Sequence, residues 1–178
     1  AEMRPSGEGP LTWHFKAEKV RTFAWASSKA FLWDGCFLKE SGSPGPDGKL
    51  SGTMCMSVYP KEAMPVWGEH STDDLRFSID HYNQKWIRYP YPSATNVNGI
   101  VGGMEYPMII FCGGRGDERG LFGVTTHEIG HNWFPMLINT DERRHGWMDE
   151  GFNTFINYYA NQARYPSEGT HRRGNARD

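Results

Sequence analysis

The sequence lacks any long hydrophobic run, and no apolar stretch in its 178 residues approaches the roughly 20 residues that a helix needs to cross a bilayer. It also lacks an excess of one charge, because 19 basic and 21 acidic residues give a formal net charge of -2. No basic field is therefore available to attract nucleic acid or an anionic membrane. The N-terminal segment has no apolar signal core, which leaves the compartment open, with a secreted or periplasmic location favoured.

Cysteine is scarce as well, and Cys36, Cys55 and Cys112 are widely separated with no C-x-x-C pair. This spacing argues against a redox motif or a zinc ribbon. We interpret the three residues as buried thiols; a single disulfide stays open, but nothing in the spacing argues for one. What the chain does have is 38% hydrophobic residues and 14% aromatic residues, which are typical of a globular protein with a sizeable core.

Hydrophobic periodicity predicts a helix over residues 71–87, where apolar residues recur at the i, i+4, i+7 and i+11 spacing of one face. Ser71 is one of two candidate N-caps for this helix. Residues 50–59 are predicted to form a strand and residues 95–112 one or two strands, because both stretches are rich in β-branched and apolar residues. The stretch 41–48, rich in Gly, Pro and Ser, is predicted to be an exposed loop.

The segment THEIGH, residues 126–131, contains the pattern H-E-x-x-H. At about 100° per residue, His127 and His131 lie about 40° apart on one helix face, so that both imidazoles can reach one metal ion. Glu128 lies beside that face, adjacent to the metal without being a ligand, which is the position of a general base that activates water. The motif therefore predicts a zinc-ligating helix with Glu128 as the catalytic base.

A catalytic zinc site needs a third protein ligand and keeps its fourth position open. Glu150 lies in the segment WMDEGFNTFIN, which carries an apolar stripe of helical period that we expect to be mostly buried. The glutamate falls roughly opposite that stripe, on a face shared with Thr154 and Asn157. Its carboxylate must face either water or a polar partner such as a metal. We predict that Glu150 completes the site of a single zinc ion.

Pro135 lies four residues after His131 and has no amide hydrogen, so it cannot donate to the carbonyl of His131. We therefore predict that the motif helix ends or kinks near Phe134.

Three motifs, GGMEYP (102–107), HEIGHNWF (127–134) and WMDEGF (147–152), resemble in combination and spacing those of the gluzincin aminopeptidases, the aminopeptidase N family. Together they span about residues 100–160, and weaker similarity to bacterial members extends from Trp13 onward. The resemblance implies an α+β fold of the thermolysin-like zincin type. In that fold a mixed β-sheet is followed by the helices that bear the zinc ligands.

The resemblance also implies an exopeptidase that acts on peptides with a free N-terminus. Glu105 matches the glutamate of the family's G-x-M-E-N motif and would bind the α-amino group, while Gly102 and Gly103 would offer backbone hydrogen bonds. A carboxylate beside an extended strand edge without side chains can hold an ammonium group and reject chains that continue past it. Tyr106 departs from the family, which usually has Asn there, and Pro135 departs likewise, where Gly is usual.

Family members place a tyrosine that stabilises the transition state some tens of residues beyond the last ligand, and no tyrosine at that distance follows Glu150 here. We therefore expect residues 29–178 to be a zinc peptidase catalytic domain that is incomplete at its C-terminus. Residues 1–28 are expected to be the end of a preceding β domain or a linker.

Two other functions stay open. A metal could staple two helices in a non-catalytic module or degenerate homologue that binds peptides, although closed structural sites normally use four protein ligands, often cysteines. The second alternative is a zinc endopeptidase, which an N-acetylated peptide would distinguish from an aminopeptidase. The sequence leaves the oligomeric state open.

Overall fold

The computed structural model describes residues 9–10, 12–39, 41, 48–49 and 51–166, so the predicted loop at 41–48 lies largely outside the described residues. Five strands form one sheet in the order β1-β2-β3-β5-β4. Their bounds are β1 Phe31–Leu38, β2 Thr53–Pro60, β3 Ser93–Val97, β4 Gly103–Tyr106 and β5 Ile109–Cys112. The pairs β1/β2 and β4/β5 are antiparallel, whereas β2/β3 and β3/β5 are parallel, so the sheet is mixed.

The strand predicted over 50–59 is confirmed as β2, but the prediction of one or two strands over 95–112 was too low. Three strands cover that stretch because the chain turns twice within it. The second turn passes through Met108, whose φ of 68° lies in the left-handed region and cannot continue a strand.

Three α-helices accompany the sheet, and their bounds are α1 Thr72–Lys85, α2 Glu118–Gly130 and α3 Gly146–Arg164. Helix α1 confirms the helix predicted over 71–87, but the N-cap prediction was wrong. A π-helical segment, Trp67–Ser71, runs directly into α1, and the hydroxyl of Ser71 donates to the Trp67 carbonyl at 2.6 Å instead of capping. Helix α2 has a true cap, because the Asp117 carboxylate accepts from Gly120 N at 2.8 Å.

The core lies between the sheet and helices α1 and α2. Fully buried apolar side chains come from the sheet, α1 and α2, and each leucine, isoleucine or phenylalanine among them contributes about 1.5 to 3 kcal/mol by leaving water. They include Leu75, Ile79, Tyr82, Ala94, Ile110, Leu121, Phe122 and Ile129. A mixed sheet followed by α2 and α3 confirms the predicted α+β class. Within the described ranges, no helix is long and apolar enough to cross a membrane.

Helix α3 buries only part of the apolar stripe that we predicted to be mostly buried. Ile156 of that stripe is buried, but its aromatic side chains, Phe152, Phe155 and Tyr159, are 44%, 52% and 39% exposed. The other buried residues of the helix are Asp149, Asn153, Asn157 and Ala160. The asparagines point inward because they hydrogen-bond to groups on α1 and α2, as described below.

The predicted break in the motif helix is confirmed. After α2 ends at Gly130, a π-helical segment, Asn132–Leu137, contains Phe134 in an extended conformation with φ -132° and ψ 109°. The carbonyl of His131 accepts from Met136 N at 3.2 Å, one residue later than in an α-helix. Pro135 explains the shift, because it has no amide hydrogen to offer at the usual position.

Candidate metal and peptide site

The end of α2 and the first turns of α3 bring three predicted ligands together. Nε2 of His127 lies 3.2 Å from Nε2 of His131. The Glu150 carboxylate reaches both rings, with Oε2 3.4 Å from Nε2 of His127 and Oε1 3.7 Å from Nε2 of His131. These three side chains form a group of donors that could hold one metal ion.

The spacing of these donors suits a small divalent ion. Zinc binds nitrogen and carboxylate ligands at about 2.0 to 2.2 Å, usually as a tetrahedron, and ligand atoms in such a tetrahedron are about 3.3 to 3.5 Å apart. The two Nε2 atoms are 3.2 Å apart, and a different Glu150 oxygen lies 3.4 or 3.7 Å from each of them, which is close to that edge. Two imidazoles and one carboxylate are also a donor set that zinc uses in catalytic sites. The residues therefore fit such an ion.

The ring of His131 is oriented by the break in its own helix. Its Nδ1 donates to the Phe134 carbonyl at 2.7 Å. A carbonyl oxygen only accepts, so the proton is on Nδ1 and the lone pair of Nε2 faces His127 and Glu150. Phe134 can turn its carbonyl to the ring because its backbone leaves the helix before Pro135. The proline thus shapes the site through the peptide group that precedes it.

The ring of His127 is oriented by α3. Its Nδ1 lies 3.0 Å from Oδ1 of Asn157. The amide nitrogen of Asn157 faces acceptors on three sides, namely the Tyr82 hydroxyl at 2.8 Å, the Thr126 carbonyl at 3.2 Å and Asn153 Oδ1 at 3.0 Å. The amide oxygen is therefore left for Nδ1-H of His127, and Nε2 again keeps its lone pair for the site.

Close approach of α2 and α3 depends on Gly130, within the H-E-x-x-H motif. A Cβ at this position would lie 2.1 Å from Oδ1 of Asn153 and 3.0 Å from Nδ2 of Asn157. Asn153 in turn donates to the His127 carbonyl at 2.8 Å. The missing side chain thus lets both asparagines reach the motif helix, and the position of Glu150 at the start of α3 depends on that contact.

Glu128 and Glu105 form a second acidic group beside the ligands, and together with His131 their donor atoms lie within 4.8 Å of one another. Glu128 is buried, and this burial, with the charges of Glu105 and Glu150, raises its pKa to about 8. Burial also raises the pKa of Glu105, although the nearby ring of His131 acts in the opposite direction. Two carboxylates in a partly dehydrated site strongly favour a cationic partner.

Gly102 and Gly103, at the start of β4, differ in what an added side chain would contact. A Cβ on Gly103 would lie 2.9 Å from Oε1 of Glu128, so a side chain there would push the Glu128 carboxylate aside. A Cβ on Gly102 would meet nothing within 4 Å. The carbonyl of Gly102 already accepts from Gly113 N at 2.6 Å. Gly103 is thus the position at which a side chain would disturb the candidate base.

The hairpin that carries Glu105 is attached to the end of the motif helix by Asn132. The Oδ1 atom of this fully buried asparagine accepts from Met108 N at 3.2 Å, and its Nδ2 donates to the Tyr106 carbonyl at 3.4 Å. Neither Asn132 nor Asn153 was predicted from the sequence. Asn157 was predicted to share a helix face with Glu150, and this spacing could have identified Asn157 as a partner of His127.

Comparison with known proteins gives partial matches to aminopeptidases. Aminopeptidase M1-B of Oryza sativa subsp. japonica is 24% identical over 132 residues, which are 66% of this chain and 15% of that protein. Aminopeptidase B of Rattus norvegicus is 40% identical over 57 residues, 30% of this chain and 9% of that protein. The chain therefore spans a small part of the relatives it matches. No protein-family profile matches it.

Among solved structures, a mutant of the M1 zinc metallopeptidase from Deinococcus radiodurans superposes with a TM-score of 0.50 at 16% identity, covering 75% of this chain and 29% of that one. At that identity the match concerns the fold alone, and it agrees with the α+β class. The aminopeptidase matches agree with the family resemblance drawn from the motifs, as a partial and distant similarity to M1 aminopeptidases.

Proposed function

We propose that this chain carries the metal site of a zinc peptidase that removes residues from the N-terminus of peptides. The observation that carries the proposal is the convergence of two imidazole Nε2 atoms and one carboxylate beside two further acids. His127, His131 and Glu150 would hold one zinc ion. Glu128 would act as the catalytic base, and Glu105 would bind the substrate.

A zinc ion held there would supply Lewis acidity toward water and the scissile carbonyl. Glu128 takes a proton from the attacking water and passes it to the leaving amine, as a general base and then a general acid. Its position supports this role, because it is buried next to His131 and is kept apart from bulk water. The charge of a zinc ion held beside it would lower the pKa of Glu128 from about 8 and favour the ionised form that a general base needs.

Glu105 would bind the free α-amino group of the substrate. It lies on β4, an edge strand that pairs only with β5 among the described strands, so an extended peptide can add to the other side. An ammonium group would form charge-assisted hydrogen bonds with Glu105. An N-acetylated peptide has no such charge, and it would leave Glu105 without a cationic partner.

The ligand count argues against a purely structural metal. Structural zinc sites are normally closed by four protein ligands, whereas this group has two histidines and one glutamate. Glu150 has a side chain that is 58% exposed, so water and substrate have access from that side. An endopeptidase shares the same ligands and base, and only the treatment of the substrate N-terminus separates it from an aminopeptidase.

The test compares one short peptide with a free N-terminus and its N-acetylated form, at equal zinc occupancy. We expect cleavage of the first residue from the free peptide and little cleavage of the acetylated one. Glu128→Gln should reduce kcat by about a hundredfold or more, as loss of a general base does. Glu105→Gln should mainly raise KM for the free peptide, while Glu62→Gln, at an exposed glutamate outside the site, should change neither constant.

Equal cleavage of the two peptides would make the protein an endopeptidase. Zinc binding without cleavage of either peptide would favour the non-catalytic module.

A further inference from the structure

Two of the three cysteines face each other across the β1/β2 pair. Cys36 and Cys55 are directly opposite in the antiparallel register. Both are free thiols. Their separation along the sequence did not indicate this contact, because the register of two strands joined by a long connection is not visible in the spacing.

Opposite positions in an antiparallel pair have the Cα separation that a disulfide requires. Directly opposite residues in antiparallel strands have Cα atoms about 4.5 or 5.5 Å apart, and disulfides join Cα atoms about 4.4 to 6.8 Å apart. Directly opposite residues of an antiparallel pair point to the same face of the sheet, so the two side chains lie side by side. The expected Cα separation is within the range that a disulfide spans.

We propose that Cys36 and Cys55 form a thiol-disulfide pair that low-molecular-weight disulfides such as glutathione disulfide oxidise, and that the bond staples the edge strand β1 to β2.

The reaction proceeds in two exchanges. The thiolate of Cys36, which is half-buried and therefore reachable, attacks one sulfur of glutathione disulfide, forms a mixed disulfide and releases one glutathione thiolate. The thiolate of the buried Cys55 then attacks the sulfur of Cys36 and releases the second glutathione. Each cysteine proton ends on a released glutathione, so the chain loses two hydrogens and two electrons while the reagent gains them.

Cys112 is an internal control for this chemistry. It is fully buried on β5, and the sheet order separates β5 from β1 by two strands. Burial raises the pKa of all three thiols, so none of them is activated by a lowered pKa. What distinguishes Cys36 and Cys55 is that each has a second sulfur within reach.

The pair is also remote from the candidate metal site. In the order β1-β2-β3-β5-β4 it lies at one edge of the sheet, whereas Glu105 lies on β4 at the other edge. Oxidation should therefore change the stability of the β1/β2 pair without changing zinc binding. The proposal thus does not depend on the proposed peptidase function.

The experiment uses the reduced chain incubated with glutathione disulfide, then denatured, alkylated and mapped by mass spectrometry. We expect one intrachain link between the peptides that contain Cys36 and Cys55, with Cys112 alkylated, and a melting temperature higher by roughly 5 to 10 °C. Cys112→Ala should retain the link. Cys36→Ser, a small change on an edge strand, should abolish both the link and the rise in melting temperature.

Three alkylated cysteines after incubation, a link that includes Cys112, or only links between chains would overturn the proposal. A link between Cys36 and Cys55 that left the melting temperature unchanged would contradict the stapling role.

Discussion

Oδ1 of Asn157 lies 3.0 Å from Nδ1 of His127, and through this contact α3 orients the ring of one candidate ligand. The same helix carries Glu150 at its start and Asn157 two turns later. The amide nitrogen of Asn157 is held by the Tyr82 hydroxyl on α1. A single asparagine thus links the orientation of a ligand ring to the packing of three helices.

Two substitutions of Asn157 should separate its effect on the His127 ring from its effect on helix packing. Asn157→Ala removes the partner of His127 Nδ1, and we expect zinc affinity to fall about 10- to 100-fold, as for other residues that orient a ligand. Asn157→Asp keeps an acceptor for Nδ1 but loses the donor to Tyr82, so it should retain most of the affinity and have a lower melting temperature. Competition with a chromogenic chelator measures the affinity. Asn161→Ala, one turn further along α3, is the control, and an unchanged affinity in Asn157→Ala would contradict the role.

Two glycines of α2 should respond to alanine in opposite directions. Gly130→Ala places a Cβ 2.1 Å from Asn153 Oδ1, so we expect a loss of about 1 to 3 kcal/mol in the free energy of unfolding, together with weaker zinc binding. Gly123→Ala meets nothing within 4 Å and should raise that free energy by about 0.5 to 1 kcal/mol, because alanine favours helix. Urea unfolding measures both. A stabilised Gly130→Ala would show that the helices have room to separate.

Gly102 and Gly103, at the start of β4, provide a second matched pair, which tests catalytic activity. In Gly103→Ala the new methyl group must displace the Glu128 carboxylate, whose Oε1 would lie 2.9 Å away. We expect kcat on a peptide with a free N-terminus to fall about tenfold or more, since small misplacements of a catalytic group are costly. Zinc content should not change. Gly102→Ala, which has no atom within 4 Å of its Cβ, should retain its kcat, and equal loss in both variants would refute the steric explanation.

Asp74 should make stability depend on pH between about 5 and 7. Burial raises its pKa to about 7, although the guanidinium of Arg164, 3.1 Å from Oδ1, acts against that rise. A carboxyl group whose pKa is higher in the folded state stabilises the fold while it is protonated, and this contribution is lost as the pH rises through about 7. The free energy of unfolding, relative to Asp74→Asn, should therefore fall by on the order of 1 kcal/mol per pH unit across that range.

Asp73 is the control for this prediction. Burial acts to raise its pKa, but the hydrogen bond and charge of Arg76 and the charge of Arg164 together lower it. Its contribution is therefore present above the ordinary pKa of an aspartate and is lost only at lower pH. Asp73→Asn should keep most of the pH dependence between about 5 and 7, reduced only by the part of the raised Asp74 pKa that the Asp73 charge supplies. A similar slope in both variants would mean that Asp74 does not titrate in that range.

Local spacing was sufficient to predict the parts of the site that lie on one element. The i, i+4 spacing of His127 and His131 predicted a shared helix face, and their Nε2 atoms do lie side by side. Pro135 predicted the break after His131 from its missing amide hydrogen alone. In both examples the physical cause lies within one or two helical turns, so the sequence contains all the information required.

Contacts between elements could not be predicted in the same way. The apolar stripe of α3 indicated a buried face, yet Phe155 is 52% exposed while Asn153 is fully buried. Hydrophobic periodicity does not record that an asparagine gains hydrogen bonds to another helix, and these offset its desolvation. The opposition of Cys36 and Cys55 depends on strand register, which is set only when the sheet assembles.

If His127, His131 and Glu150 bind one zinc ion with Glu128 outside the ligand set, the zinc content of variants will depend on the three ligands and not on Glu128. Zinc can be measured in the purified chain after dialysis against a weak chelator. We expect about one zinc per chain in the unsubstituted protein and in Glu128→Gln, and a large loss in His131→Ala and Glu150→Ala. Absence of zinc from the unsubstituted chain, or full retention of zinc in Glu150→Ala, would refute this ligand assignment.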